Sequence, residues 1–418
     1  MSKEVKQLKN LYLHADGDSF FVACEVSVHP ELKGLPVIVG GDRGIAVAMS
    51  REAKALGVTR GMPVFQIKKL YPEVIILSHH FELYEKIASK MQNILSTYFN
   101  KIEVYSIDEC FALVEPCEVK YYGDEKKLLK ELKSEIETTL NVTYSIGLAR
   151  TKVLAKQASK LEKPNGLVML LKKEDEIRAL KNTQIEDVWG IGRQTAPRLQ
   201  SLGIKNAYDF INYKDEKIIS DFSAPLLVLK RELAGEQIME VESNLDPRNQ
   251  KSIQATSTFH PTSTDPKVIW REIAENAEHA CENARELNLV SNKISFFVKT
   301  SEFKYFTDEV KLEEYTSDPG VMLDMLESKF SKILPKRKQI RSTGIILHNL
   351  LREEGVTFDL FGKQEKAIKN LVIEKMADKI RGKYGIDAIK RLSSLRGKEQ
   401  GSNSKLAKDK FKRDNSYQ

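Results

Sequence analysis

Four cysteines in 418 residues, with no CxxC pair and no alternation with histidine, leave little material for a disulfide framework or a zinc site. Cys24, Cys110, Cys117 and Cys281 read as reduced, mostly buried thiols. No apolar run approaches the ~20 residues that span a bilayer. The opening MSKEVKQLKN is basic but has no apolar stretch behind it, so it does not read as a secretory signal. These absences predict a cytoplasmic protein without a membrane partner. Charge of one sign does not dominate either: 66 Lys and Arg against 59 Asp and Glu give +7, a mild bias that suits a polyanion and selects no function by itself. With 41% hydrophobic and 30% charged residues, the chain is too long for one ordinary core and should divide into several domains.

Residues 11–16 (LYLHAD) read as a strand that ends in carboxylates, and SFFVACEVS as a helix with Ser19 available as its cap. From Pro30 to about His80, short strands and small helices are punctuated by glycine and proline, which suggests a compact insertion. A helix over 81–99, strands over 102–107 and 110–114 around a tight SIDE turn, a helix over 126–140 and a strand over 142–148 complete a β-α-β-β-α-β order. A helix at 150–162 and a strand at 166–171 extend it. A composition shift over 172–187 marks a boundary, 188–234 reads as short helices only, and 237–250 reads as a linker. The same element order then recurs: strand 251–260, helix 266–287, strands 290–300 and 303–313, helix 317–333, strand 340–350. The tail from 351 holds a short apolar motif, a helix near 364–383, and a lysine-rich polar end from about 397 that reads as disordered.

Asp16 ends one strand, while Asp108 and Glu109 lie at the turn between two others. Central strands of a split βαβ sheet are neighbours, so these carboxylates can converge. Three acids with no lysine or arginine between them would repel one another by several kcal/mol unless a cation lies among them. Hard oxygen donors of this kind suit magnesium or manganese, and two such ions can activate an attacking hydroxyl and neutralise a leaving pyrophosphate. Turn and capping acids are the plain alternative, and the DxD manganese site of nucleotide-sugar transferases is another.

Phe20 and Phe21 follow the acidic turn; most such aromatic pairs are core. Arg51 and Lys54 share a helix face that could meet a triphosphate, and Lys163 in EKPNG precedes a proline turn. All three also fit a solvated charged face. In VWGIGRQTAPRLQSLGI, Gly190-Ile191-Gly192 forms a tight turn feeding a helix, the helix-hairpin-helix signature, whose backbone N–H groups and helix N-terminus bind DNA phosphate without reading sequence. KISFFVKTSEFKYF alternates lysines and aromatics, so a strand would place some of them on one exposed face.

The stretches ADGDSFFVACE, AMSREAKALGVTRGMP, YSIDEC, SIGLARTKVLAKQASKLEKPNG, VWGIGRQTAPRLQSLGI and RSTGIILHNL together resemble the Y-family translesion DNA polymerases, in particular the bacterial DNA polymerase IV and V group. The resemblance covers roughly residues 11–350. It implies an α+β right-hand fold: a ferredoxin-like split βαβ palm from 1–29 and 80–171, small fingers from 30–79, a helix-hairpin-helix thumb from 172–236, and a β-α-β-β-α-β little finger from 251–350. It also implies roles. Asp16 and Asp108 would bridge two Mg2+ ions, Glu109 would bind the catalytic one, and the Gly17 carbonyl the nucleotide's. Phe21, beside Phe20, would exclude ribonucleotides. Arg51 and Lys54 stand where the family often has tyrosine and arginine gripping the dNTP, and Lys163 matches the family lysine on the phosphates. Ala149-Arg150-Thr151 departs from the commoner proline-asparagine form. Gly190, Gly192 and Arg193 would meet primer-template DNA. Thr357-Phe358-Asp359-Leu360-Phe361 looks like a sliding-clamp motif with Leu360 and Phe361 as anchors, although glutamine usually comes first. The chain would act as a monomer. The rival readings are a catalytically inactive DNA-bound scaffold recruiting clamp or repair partners, and a DxD glycosyltransferase.

Overall fold

The computed structural model describes residues 10–41, 44–215, 217, 224–243, 246–355, 364–385, 388–389 and 391. The chain forms two units, Met1–Leu245 and Asp246–Gln418. The expected clamp motif at 357–361 and the polar end from 397 lie outside the described residues.

In the first unit β1 (Leu11–Gly17) is the middle of a five-stranded sheet. After α1 (Phe20–Val28) the chain leaves for a small three-stranded layer. That layer holds β2 (Val37–Val39), β3 (Ala48–Met49), α2 (Arg51–Ala55), α3 (Val64–Leu70) and β4 (Ile75–Leu77), packed on a modest core of Ile38, Val58, Val64 and Ile67. It returns through α4 (Phe81–Tyr98), β5 (Lys101–Val104), β6 (Glu109–Val114), α5 (Pro116–Tyr122), α6 (Glu125–Leu140) and β7 (Tyr144–Ala149). Then follow α7 (Lys152–Leu161) and β8 (Leu167–Leu170). The sheet order β5-β6-β1-β7-β8 is the split βαβ arrangement extended by one strand, with β1 antiparallel to both β6 and β7.

Because β1 is covered on both faces it reads as a nearly continuous buried run rather than an alternating one. The period of two still sorts its side chains. Leu13 and Ala15 enter the core under α4 and α6, while Tyr12 belongs to the core around α7. His14 and Asp16, two and four residues beyond Tyr12, therefore face α7. Gly147 of β7 lies opposite His14 in the register. A Cβ there would stand 2.2 Å from the Ala155 carbonyl oxygen and 2.3 Å from the Ser159 nitrogen, so this glycine lets α7 lie directly on the sheet.

The rest of the unit is helical: α8 (Lys173–Asn182), α9 (Thr195–Ser201), α10 (Ala207–Asn212) and α11 (Ala224–Ala234), sharing the α7-side core. The segment expected to be a linker is tied down in its first part. Gln237 donates to the carbonyls of Asn10 and Arg150, the Ile238 and Met239 N–H groups donate to the Glu232 carboxylate, and Val241 is buried. Weak periodicity, a proline and mixed charge read as a linker; the donors at 238 and 239 are satisfied by a buried carboxylate that the sequence does not advertise.

The second unit runs β9 (Ile253–Ser263), α12 (Pro266–Glu286), β10 (Leu289–Thr300), β11 (Tyr305–Thr316), α13 (Pro319–Ile333), β12 (Ile340–Arg352) and α14 (Gln364–Tyr384). The chain order repeats that of the first unit, but the sheet order is β11-β10-β12-β9, so the first strand is here at an edge. All pairings in this sheet are antiparallel. The three buried thiols at 24, 110 and 281 and the exposed one at 117 are all free, as expected.

Gly147→Ala should destabilise the first unit by about 1–3 kcal/mol or more, the usual cost of overpacking a filled core. Denaturant unfolding of the whole chain checks this; an unchanged midpoint would mean that α7 can lift without penalty.

Candidate active site

The antiparallel register of β1 and β6 sets Asp16 directly opposite Glu109, and the Gly17 N–H donates to the Asp108 carbonyl at 2.9 Å. Two of the three acids called from sequence, Asp16 and Glu109, are thus set opposite each other, with the Asp108 backbone at the turn beside them. Opposed like charges on a strand pair are destabilising. Asp16 is buried, and its carboxyl is pushed up to about 6, chiefly by loss of water and further by the charges of Glu109 and Asp108, against the pull of Lys163. Asp108 stands a step aside, its carboxylate accepting from the Ser106 hydroxyl at 2.5 Å. The tightest donor group is instead His14, Asp16 and Glu109, one ligand atom of each lying within 4.8 Å of the others.

The expectation that no lysine or arginine lies between these acids is overturned. Lys163 pairs with Asp16, and the Lys156 ammonium sits 2.9 Å from Glu109 Oε1. Both come from α7 and the turn after it: Lys152, Lys156, Ser159 and Lys163 recur at i, i+4, i+7 and i+11, one helical stripe continued past the last turn. That spacing was readable, but lysines on an amphipathic helix ordinarily face water. Here the stripe faces the sheet, and Lys152 and Lys156 are buried. His14 was missed as well. Its Nδ1 lies 2.7 Å from the Ser159 hydroxyl, and its Nε2, buried and without a hydrogen-bond partner, lies 3.9 Å from Glu109. Burial and the neighbouring lysines hold His14 well below the usual histidine range, so this is a neutral ring beside a carboxylate and not an ion pair.

The two acids of the D-G-D run separate. Asp18 is spent on structure: it accepts from the Ser145 hydroxyl at 2.7 Å and from the Asn165 N–H at 2.8 Å. It thus pins the turn carrying Lys163, with Lys133 donating to Asn165 Oδ1 and the Tyr144 carbonyl from the other side. The Phe20-Phe21 pair also separates. Phe20 is 3% exposed and packs edge-on against Tyr144, which leaves it no surface for a nucleotide. Phe21 is half-buried, stacked on Tyr84 at 4.5 Å, and the Tyr84 hydroxyl donates to Glu25. Ser19 is no cap. Its left-handed backbone (φ 49) makes no side-chain bond to the helix it precedes.

Arg51 and Lys54 are exposed on α2, whose start is capped by Ser50. Gly190 has the left-handed φ of +87 that the hairpin turn requires, and Gly192 and Arg193 are exposed beside it. In the second unit the alternation of β10 puts Ile294, Phe296 and Val298 in the core, with Lys293, Phe297 and Lys299 on the other face. The Lys299 ammonium lies over the Tyr305 and Phe303 rings, and Arg341 also covers Phe303.

The donor set suits a hard divalent cation: carboxylates at the end of β1 and the start of β6, crowded enough that one of them resists ionisation, with ammonium groups already drawn to them. Fold and site together define a nucleotidyltransferase of the right-hand type. The impB/mucB/samB family model matches residues 15–160, that family's C-terminal domain residues 250–360, and the IMS family HHH motif residues 173–204. A DNA polymerase IV of Desulfatibacillum aliphaticivorans is 30% identical over 345 residues, 82% of this chain and 86% of the relative. The protein UmuC of Salmonella typhimurium is 28% identical over 389 residues, 90% and 91% of the two chains. Among solved structures, a Dbh–Dpo4 Y-family polymerase chimera gives a TM-score of 0.70 at 24% identity, covering 82% of this chain and 99% of that one. DinB from Sulfolobus solfataricus gives 0.54 at 25%, covering 81% and 98%. The chain belongs to the impB/mucB/samB family, the Y-family of translesion DNA polymerases. It is a metal-dependent, DNA-directed DNA polymerase that binds DNA and nucleotide; the scaffold and glycosyltransferase readings find no support. Among the described residues no helix is long and apolar enough to cross a membrane.

Asp18→Ala removes a charged acceptor from one buried donor, the Ser145 hydroxyl, and one part-buried donor, the Asn165 N–H, and should cost about 1.5–3 kcal/mol of stability per bond at most. Loosening of the Lys163 turn should raise the nucleotide KM more than it lowers kcat. Unfolding curves and single-nucleotide insertion kinetics measure the two effects, and an unchanged KM would detach Asp18 from substrate binding.

Proposed function

We propose that Asp16, Asp108, Glu109 and the Gly17 carbonyl hold two Mg2+ ions, with Mn2+ as a possible substitute, at the centre of translesion DNA synthesis. The observation that carries this reading is the β1–β6 register, which sets two carboxylates face to face beside a third. When bound, the ions would loosen the proton of the primer 3′-hydroxyl and neutralise charge on the departing pyrophosphate. His14, neutral and buried, lies behind Glu109 with its Nε2 3.9 Å from that carboxylate.

Lys163 is the residue best poised to meet the triphosphate, since it already lies against Asp16 from a pinned turn. Arg51 and Lys54 would add to that grip from the exposed side of α2. Phe21, braced by Tyr84, would press on the sugar and reject a 2′-hydroxyl. Phe20 supports it from the core. Residues 1–29 and 80–171 form the palm in this reading, 30–79 the fingers, 172–236 the thumb and 251–350 the little finger. The Gly190–Gly192 turn with Arg193 would follow one DNA phosphate, and the lysine-aromatic face of β10 and β11 would follow others. The modest core of the fingers, with Gly40, Gly41, Gly44 and Ala46 in its loops and Ala48 in β3, would press little on the nascent pair and so discriminate weakly. Leu360 and Phe361 are proposed as sliding-clamp anchors, and the enzyme as a cytoplasmic monomer.

Asp108→Ala and Glu109→Ala should each abolish primer extension with Mg2+ while leaving DNA affinity near wild type; extension at the parent rate would remove the residue from the metal set. Phe21→Ala should cut the preference for dNTP over rNTP by about 10²-fold, the scale on which an apolar wall resists an added hydroxyl. Ratios of kcat/KM on the two nucleotides decide it. DNA affinity should fall steeply with salt and depend little on sequence, and a flat titration would count against the phosphate path.

A further inference from the structure

Lys156 plays no part in the reading above, yet its surroundings are the most elaborate of any lysine near the site. It is 5% exposed, and among the described residues its carboxylate partner is Glu109 at 2.9 Å. Three ring faces enclose the ammonium: Tyr105 at 4.3 Å, Trp189 at 5.2 Å and Phe111 at 5.8 Å. The box is itself braced. Trp189 Nε1 donates to the Tyr105 hydroxyl at 3.0 Å, the Tyr105 and Trp189 rings meet edge-on, and Phe111 touches both. Its walls come from three places: the turn before Glu109, the strand after it, and the residue just before the hairpin glycine Gly190.

A buried ion pair is weak evidence for stability, because desolvation offsets most of its attraction. A cation held by rings on its other sides, however, has one direction left in which to act, and here that direction is the Glu109 carboxylate. We propose that Lys156 is a positioning residue for Glu109, and that Trp189 makes this positioning depend on the placement of the helix-hairpin-helix turn. The inference rests on Glu109 being a metal-holding residue. Removing the ammonium frees the carboxylate to rotate; removing the indole frees the ammonium.

The test compares Lys156→Met, Lys156→Arg, Trp189→Leu and Glu109→Ala at saturating primer-template. Lys156→Met should lower kcat by about 10- to 100-fold, the usual effect of losing a residue that orients a metal ligand. Nucleotide KM and DNA affinity should stay within twofold. Lys156→Arg should recover most of the rate, and Trp189→Leu should lower kcat in the same direction even when DNA is saturating. A second readout needs no turnover. The chain has two tryptophans, so Trp270→Phe leaves Trp189 as the sole emitter. Mg2+ added to that protein without DNA should change the Trp189 emission, and the change should vanish on adding Lys156→Met. If Glu109→Ala is inactive while Lys156→Met turns over at the parent rate, the positioning role is overturned and the metal site stands. If Glu109→Ala stays active, the site reading itself falls. A Trp189→Leu variant that merely binds DNA more weakly, with kcat intact, overturns the link to the hairpin. Should Lys156→Met not fold, an emission unaffected by Mg2+ in the Trp270→Phe protein overturns the proposal.

Discussion

Two carboxylates opposite each other on paired strands repel, and the first unit is organised around keeping Asp16 and Glu109 in that position. Strand pairing on both sides of β1 fixes their backbones; Gly147 lets α7 settle on the sheet, and α7 with its following turn delivers Lys156 and Lys163 to the two acids. The ammonium groups soften the repulsion, while burial first and the neighbouring carboxylates second still hold the Asp16 carboxyl above the ordinary aspartate range. A metal ion held there, as proposed above, would add what they leave unbalanced. The site is thus arranged for charge before any substrate arrives.

What sequence made legible follows from what is local. Apart from α5, the order of helices and strands over 81–170, and all of it over 253–352, could be written down because hydrophobic period and turn residues act over a few neighbours. Asp16, Asp108 and Glu109 were legible because they sit at strand ends in a topology that places those ends together. The different sheet order of the second unit was not, since the same chain order admits both pairings and the choice is made by contacts far apart in sequence. The cations escaped for another reason. Lysine is read as a surface residue, and only the tertiary contact of α7 with the sheet turns that stripe inward. The anchoring of the linker's first residues was not legible for a similar reason, their backbone donors being satisfied by Glu232 at a distance.

The paired motifs show how adjacent residues of one chemistry take different duties. Asp16 joins the cluster while Asp18, two positions on, holds a turn; Phe20 is core while Phe21, one position on, keeps an open edge. Neither division can be read from composition. Each is set by backbone direction at the end of β1, where the left-handed Ser19 turns the chain sharply into α1.

Glu25 has a wider consequence than its place in α1 suggests. It bonds Tyr84 and His80 at the start of α4, so the chain's departure into the small three-stranded layer and its return are fastened to each other. A segment clasped at its base behaves as a replaceable module. Changes of length in its loops need not disturb β1, because the two ends of the excursion stay joined at Glu25.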